Sequence, residues 1–141
     1  MQYSSDVVVA VEPARVYPYV ADLARYVEWM PMVHGVEAVD DGVWNVELRA
    51  KVGVFARSKR LRMKRTVNTS QHIVFERDEI DGKRHSPWTM AIALQATEAG
   101  SVVTVDLSYG GTLWTAGILD RVLAAQVDAG KTGLARVVQG A

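Results

Sequence analysis

Apolar and polar residues alternate along the middle of the chain, which is the pattern of β-strands that bury only one face. Between Val43 and Val52, the residues Trp44, Val46 and Leu48 share one face. Because strand side chains point alternately to opposite sides, the residues between them share the other face, which is polar. The same alternation recurs three times further along the chain. Turn-forming sequences separate the predicted strands, at Asp40-Asp41-Gly42, Asn68-Thr69-Ser70, Asp81-Gly82 and Glu98-Ala99-Gly100.

The N-terminal region combines one strand with a helical segment. The valine-rich stretch from Asp6 to Val11 predicts a strand, and a helical stripe of apolar residues follows it. Pro18 lacks a backbone N–H and distorts this segment, so we expect two short helices. The second ends at Trp29-Met30-Pro31, since the residue before a proline avoids the helical region. The stripe is formed by Val16, Val20, Leu23 and Val27.

The last quarter of the chain predicts one long amphipathic helix from Leu113 to Val138. The midline of its apolar face is small or polar, with Gln126, Gly130 and Gly133, whereas a helix that only filled a core would carry large residues there. Two interpretations remain open: close backbone contact with a sheet, or a helix that roofs a ligand cavity. In both, we expect these three residues to face inward. The opposite face carries Asp120, Arg121, Asp128 and Lys131.

The order of these elements is strand, two short helices, six strands and a long helix. Such a series favours an α+β fold with one curved antiparallel sheet, covered on its concave face by the final helix. With 141 residues and 49% hydrophobic content, the chain is large enough to bury a core and is predicted to form one domain, 1–141.

Three sequence features, in their order and spacing, resemble the START-like (SRPBCC) superfamily. They are a strand running into Val11-Glu12-Pro13-Ala14-Arg15-Val16-Tyr17, then Trp29-Met30-Pro31, and a Gly100-Ser101-Val102-Val103-Thr104-Val105 strand before the terminal helix. This is the helix-grip fold of the Bet v 1 allergen. Val52-Gly53-Val54-Phe55, followed by alternating basic and apolar residues, is most similar to the branch of the polyketide cyclases and the G-type subunit of carbon monoxide dehydrogenase. The resemblance implies a seven-stranded antiparallel sheet that grips the C-terminal helix around a hydrophobic cavity.

Composition excludes several classes of protein. The formal charge of zero and pI near 6.8 argue against a nucleic-acid binder, which would normally be basic. Cysteine is absent, which excludes disulfides and zinc–thiolate sites and fits a reducing compartment. No apolar run approaches the ~20 residues that span a bilayer, and the first residues do not resemble a secretory signal. We therefore expect a cytoplasmic protein.

The sequence shows no recognisable catalytic or metal-binding motif. It lacks the G-x-S-x-G and S-x-x-K motifs of serine nucleophiles, and Gly110-Gly111-Thr112 lacks the lysine of a phosphate-binding loop. The histidines His34, His72 and His85 are scattered, so we predict no metal site and no cofactor. His85 retains interest because it precedes Ser86-Pro87-Trp88 near the expected mouth of the cavity.

Arg65 is the most notable charged residue. Counting by twos from Leu61 and Met63 places it on the dry face, where a charge must be paired or hydrogen-bonded. It could anchor the polar end of a ligand, pair with a carboxylate such as Glu76, or swing to solvent at a bulge. The predicted ligand-binding residues share an inward position on a strand or helix: Trp29, Met63, Arg65, Trp88, Met90, Ile92, Tyr109, Leu119, Val122 and Gln126.

A basic block lies between Arg49 and Arg65, with eight basic residues and no acidic one. Its outward members would either form a solvated face neutralised by Glu76 and Asp78, or dock to an anionic membrane surface or an acidic protein. They are Arg49, Lys51, Arg60, Arg62 and Lys64.

Three functions are compatible with these observations. The leading hypothesis is binding or transport of a small hydrophobic ligand of the lipid, isoprenoid, quinone or aromatic polyketide type. The alternative is a polyketide cyclase or dehydratase, with Arg65, Tyr109, Gln126 or His85 as proton donors. The third is an adaptor that docks through its basic strand face. Because no acid–base pair is recognisable, the first hypothesis is favoured over an enzyme.

Overall fold

The computed structural model describes residues 2–52, 55–110 and 116–140, with the side chains of 50–52, 55–57 and 116–123 left out. Seven strands and three helices are found in these ranges. In chain order they are β1 (Gln2–Val9), α1 (Pro13–Ala21), a 3-10 helix (Leu23–Glu28), β2 (Val33–Asp40), β3 (Val43–Val52), β4 (Phe55–Asn68), β5 (His72–Arg77), β6 (Trp88–Thr97), β7 (Gly100–Tyr109) and α2 (Ala116–Gly140).

All seven strands belong to one antiparallel sheet, in the order β1-β7-β6-β5-β4-β3-β2. Strands β2 to β7 follow one another as a meander, and β1 returns to pair with β7. The predicted α+β helix-grip fold is therefore confirmed. The first strand lies earlier than the sequence indicated, because it pairs with β7 from Gln2 to Val9, and Val11 falls outside it.

The register brings the apolar faces of the strands together as the sequence pattern predicted. Trp44 lies opposite Met63, Ile73 opposite Ile92, and Phe75 opposite Met90. Phe75 contacts Trp44 edge to face, with ring centroids 5.7 Å apart. These side chains form the core between the sheet and the helices.

The segment after β1 is divided into two helices at Asp22, whose carboxylate accepts a hydrogen bond from the Ala24 N–H at 2.9 Å. The expectation that Val27 would be buried is wrong, because its side chain is 47% exposed. The second piece is a 3-10 helix with about three residues per turn, so Tyr26 lies on the same face as Leu23. Tyr26 is fully buried, and its hydroxyl donates to the Val20 carbonyl at 2.8 Å.

Helix α2 packs against the sheet mainly at β1, and its C-terminal half is anchored by Leu134 and Val138. Gly130 and Gly133 face inward, while Asp128 is exposed. The residues before Ala116 and the side chains of Asp120 and Arg121 lie outside the described residues. No described helix is both long enough and apolar enough to cross a membrane.

The two inward glycines have different roles. A Cβ at Gly133 would lie 2.2 Å from the carbonyl oxygen of Trp29, so this glycine allows the helix backbone to touch another backbone. The interpretation that Gly133 marks open space is therefore wrong. At Gly130 a Cβ would make ordinary contacts of 3.8 to 4.0 Å with Trp29 and Met30.

Candidate functional site

An apolar cavity of about 70 Å³ lies between the concave face of the sheet, the 3-10 helix with the loop after it, and α2. Its lining comes from every layer of the fold, so no single element could have formed it. The lining residues are Leu23, Met30, Met32, Val46, Leu48, Leu61, Met63, Trp88, Met90, Val105, Leu107, Gln126 and Val127.

Methionine is concentrated in this wall. Four of the five methionines of the chain line the cavity: Met30, Met32, Met63 and Met90. Their unbranched side chains change rotamer at little cost and their sulfur atoms are polarizable, so they adapt to apolar partners of different shape. The cavity is smaller than the ~300–1,000 Å³ of sites for drug-sized ligands. A wall of this kind can widen without a change in the backbone.

Two polar atoms are buried at the cavity without a hydrogen-bond partner among the described residues. They are the indole Nε1 of Trp88 and the amide Oε1 of Gln126. An unsatisfied buried donor or acceptor costs about 1–3 kcal/mol, and most are paired in folded proteins. The cavity wall therefore combines an apolar surface with one free N–H donor and one free carbonyl acceptor.

The structure brings only part of the predicted ligand-binding set together. Met63, Trp88, Met90 and Gln126 line the cavity. The side chains of Leu119 and Val122 lie outside the described residues.

Three predicted ligand-binding residues belong to the core beside the cavity instead. Trp29 donates from Nε1 to the Tyr19 carbonyl at 3.0 Å and packs under α2. Ile92 is fully buried, and Tyr109 stacks on Trp88 with ring centroids 4.6 Å apart. Periodicity placed them on the correct face but did not reveal that other side chains cover them.

Arg65 also lies away from the lining of the cavity. Its Nη1 donates to the Ala21 carbonyl at 2.7 Å, and its guanidinium lies 5.6 Å from the ring centroid of Trp44. Ala21 is the last residue of α1, where a positive charge interacts favourably with the helix dipole. Glu76 lies opposite Lys64 instead, so the alternative of an Arg65–Glu76 pair is wrong. Arg65 therefore joins α1 to the sheet.

Beside the cavity, the inward face of β5 ends in a charged cluster that the sequence analysis missed. Arg77 lies opposite Met63, and its side chain is only 8% exposed. Its Nε donates to Glu79 at 2.9 Å, and its Nη2 lies 3.2 Å from Nδ1 of His85. The other ring nitrogen of His85 lies 2.8 Å from a carboxylate oxygen of Asp81. Counting by twos from Ile73 and Phe75 would have identified Arg77.

The charges of this cluster shift one another's pKa values. Burial by itself raises the pKa of Glu79, but hydrogen bonds from the Arg62 N–H and from Arg77 outweigh it, and the pKa is lowered. A backbone hydrogen bond from Lys83 and the contact with His85 lower the pKa of Asp81. Burial and the nearby charge of Arg77 lower the pKa of Lys59.

The lowered pKa of Glu79 predicts a loss of stability in acid. A carboxyl group whose pKa is lower in the folded state stabilises the fold above its ordinary pKa of 4.5, and this contribution is lost as the pH falls through the folded value. We expect Glu79→Gln to flatten the acid limb of unfolding free energy against pH, by at most about 1 kcal/mol for a partly exposed pair. Denaturant unfolding from pH 7 to pH 3 measures it, and a limb as steep as the wild-type one would contradict the prediction.

The same cluster contains the described group that comes nearest to a metal site. Ligand atoms of Glu79, Asp81 and His85 lie within 4.8 Å of one another. Arg77 donates to Glu79 and contacts His85, so a positive charge already occupies this position. The other two histidines, His34 and His72, are exposed on β2 and β5.

The outward basic residues lie among acidic ones. Glu47 lies opposite Arg60, and Glu76 lies opposite Lys64. Nη1 of Arg62 donates to the Asp78 carbonyl at 2.8 Å and lies 3.3 Å from its carboxylate. Arg49 lies 3.5 Å from Glu47, while the side chain of Lys51 lies outside the described residues. The described part of this surface therefore carries mixed charge, as in the interpretation of a solvated face.

A larger cleft of about 430 Å³ lies on the outside, between the start of α1, the β4–β5 turn and β6. Most of its lining residues are exposed, including Asn68, Thr69, Ser70 and Gln71. Tyr17 and Asn68 are hydrogen-bonded across it at 2.5 Å. The smaller cavity has the buried, apolar surface that ligand sites usually have.

The sequence of residues 1–139 matches the model of the family described as polyketide cyclase / dehydrase and lipid transport. The chain belongs to this family. No curated protein matches the sequence. The fold of the polyketide cyclase / dehydrase and lipid transport family also recurs in solved structures that share little sequence with this chain.

One such structure is a START superfamily protein from Mycobacterium smegmatis, with a TM-score of 0.79, 13% identity, and coverage of 99% of this chain and 97% of that chain. A protein from Thermus thermophilus gives a TM-score of 0.75 at 15% identity, with 99% and 98% coverage. The di-domain ARO/CYC StfQ from the steffimycin biosynthetic pathway gives 0.65 at 15% identity, with 99% of this chain and 49% of that chain covered. These similarities confirm the START-like helix-grip fold.

Proposed function

We propose that this protein binds and carries a small apolar ligand in the cavity between its sheet and α2. The observation that supports this most is the composition of the wall, where four methionines and seven other apolar side chains meet Trp88 and Gln126. An enclosed apolar space with a few polar groups is the usual form of a small-molecule site. The helix-grip fold of the family provides such a space.

The same wall favours a carrier over a cyclase or dehydratase. No side chain that titrates near neutral pH is among the described residues that line the cavity. General acid–base catalysis needs such a group within hydrogen-bond reach of the substrate. Arg77 and His85 lie beside the cavity, but they are bonded to Glu79, Asp81 and each other. Arg65 bonds to α1, and Gln126 does not titrate.

Filling the cavity tests the proposal. Leu107 lines the cavity from β7, so Leu107→Trp should occupy the space and weaken binding of toluene and 2-methylnaphthalene by about tenfold or more. Ser108, the next residue on β7, is exposed, so Ser108→Trp adds the same indole outside the cavity. Ligand-observed NMR measures both affinities.

The two variants distinguish the site from other surfaces. We expect Ser108→Trp to bind both probes like the wild-type protein, and thermal melting shows whether each variant is folded. If the wild-type protein binds neither probe, the carrier proposal is wrong. If a folded Leu107→Trp protein binds them unchanged, the ligand site lies elsewhere.

A further inference from the structure

We propose that the ligand of this cavity is an apolar molecule with a hydroxyl group, recognised by the indole N–H of Trp88 and the amide oxygen of Gln126. This inference rests on the proposed function and adds the chemistry of the ligand's polar group. It also assigns these two residues as the determinants of ligand specificity.

The first argument is the burial of the donor. Trp88 is only 7% exposed, and its Nε1 has no partner among the described residues. Tryptophans elsewhere in the core are satisfied within the protein, as the bond from Trp29 to the Tyr19 carbonyl illustrates. The ring of Trp88 is held by Tyr109, which stacks against it at 4.6 Å. The free N–H is therefore fixed in direction and lies in the cavity wall.

The second argument is the acceptor on the opposite layer. Gln126 belongs to α2, whereas Trp88 is the first residue of β6, so the two polar atoms approach the cavity from the helix and from the sheet. The Oε1 of Gln126 is buried and unpaired among the described residues. A polar residue on the buried face of a helix is unfavourable unless it gains a partner.

A hydroxyl group satisfies both atoms because it accepts and donates hydrogen bonds. A ketone or ether could pair with Trp88 only, and a purely apolar ligand would leave both atoms unsatisfied. A carboxylate would meet the oxygen of Gln126 without a proton to share, and no basic side chain is among the described lining residues. Sites with buried polar groups discriminate strongly against ligands that leave those groups unpaired. An alcohol or phenol is therefore the ligand class that fits.

The experiment compares probes that differ only in a hydroxyl and a methyl group. The pairs are phenol with toluene, and 2-naphthol with 2-methylnaphthalene, titrated by ligand-observed NMR. We expect the wild-type protein to bind the hydroxyl member of a pair about tenfold more tightly, given two hydrogen bonds to buried partners. Trp88→Phe and Gln126→Met should each reduce this preference, and the double variant should bind both members almost equally.

Two control variants identify effects of the tryptophan or glutamine outside the cavity. Trp44 is a buried tryptophan and Gln95 an exposed glutamine, and neither lines the cavity. Trp44→Phe and Gln95→Met should keep the tenfold preference. If the cavity variants do not fold, the indole N–H resonance of Trp88 in the wild-type protein decides. It should move further downfield with 2-naphthol than with 2-methylnaphthalene, whose aromatic rings are the same.

The outcomes separate this inference from the proposed function. If both members of a pair bind the wild-type protein equally well, the hydroxyl inference is wrong and the carrier proposal remains. If the preference survives in a folded double variant, or the Trp88 resonance responds equally to both probes, Trp88 and Gln126 do not read the hydroxyl. If neither member of either pair binds, the carrier proposal fails, and this inference with it.

Discussion

Gly133→Ala is expected to destabilise the protein by about 3 kcal/mol or more, although alanine is the better helix former. The added Cβ would lie 2.2 Å from the carbonyl oxygen of Trp29 and within 3.1 Å of its Cα. Trp29 cannot easily retreat, because its N–H and the N–H of Met30 are bonded to the Tyr26 carbonyl, and its indole is bonded to Tyr19. Helix α2 would have to move away from the core.

Gly130→Ala is the matched control, one helical turn earlier on the same face. Its Cβ would meet Trp29 and Met30 no closer than 3.8 Å, which is ordinary contact. We expect this variant to be as stable as the wild-type protein, or more stable by up to about 1 kcal/mol from helix propensity. Urea unfolding of both variants measures the difference. Equal stability of the two alanine variants would show that α2 does not approach Trp29 this closely.

Arg65→Met is expected to lower the free energy of unfolding by about 2–3 kcal/mol while leaving probe affinity unchanged within about twofold. The substitution removes a charged hydrogen bond of 2.7 Å to the Ala21 carbonyl and the contact with the Trp44 ring. It also leaves the last carbonyl of α1 without this partner. Affinity should hold because Arg65 does not line the cavity.

Two comparisons define the role of Arg65. Arg60 is an exposed arginine of the same strand, so Arg60→Met should change stability by less than about 0.5 kcal/mol. Arg65→Lys keeps the charge near the end of α1 and should recover part of the loss. Denaturant unfolding and titration with 2-methylnaphthalene measure the two properties. A folded, fully stable Arg65→Met protein with weakened binding would return Arg65 to the ligand site.

The order of the elements and the face of each strand residue could be predicted from the sequence alone. Trp44, Met63, Trp88 and Met90 were placed inward by alternation, and all four are buried. This succeeded because alternation is a local property: successive side chains of a strand point to opposite sides whatever the strand later contacts. Helical periodicity, which is equally local, placed Gln126 and the two glycines on the inward face of α2.

Tertiary structure decided what each inward residue meets. Arg65 is on the inward side, but its partner is a carbonyl 44 residues earlier in the chain. Gly130 and Gly133 have the same position in the sequence pattern, yet only Gly133 lies against a backbone. Periodicity assigns a face, whereas the distance to the opposite layer depends on how α2 docks against the segment around Trp29.

The cavity was decided in the same way. Met30 and Met32 lie in the loop between the 3-10 helix and β2, where no periodic pattern assigned them a face, yet they complete its wall. Tyr26 replaced Val27 in the core because the segment adopted a 3-10 helix, whose tighter turn rotates the buried face. The sequence thus determined the fold and the apolar character of its concave face. The position of the cavity, and the two polar atoms in its wall, depended on packing between elements distant in the chain, which local propensity does not encode.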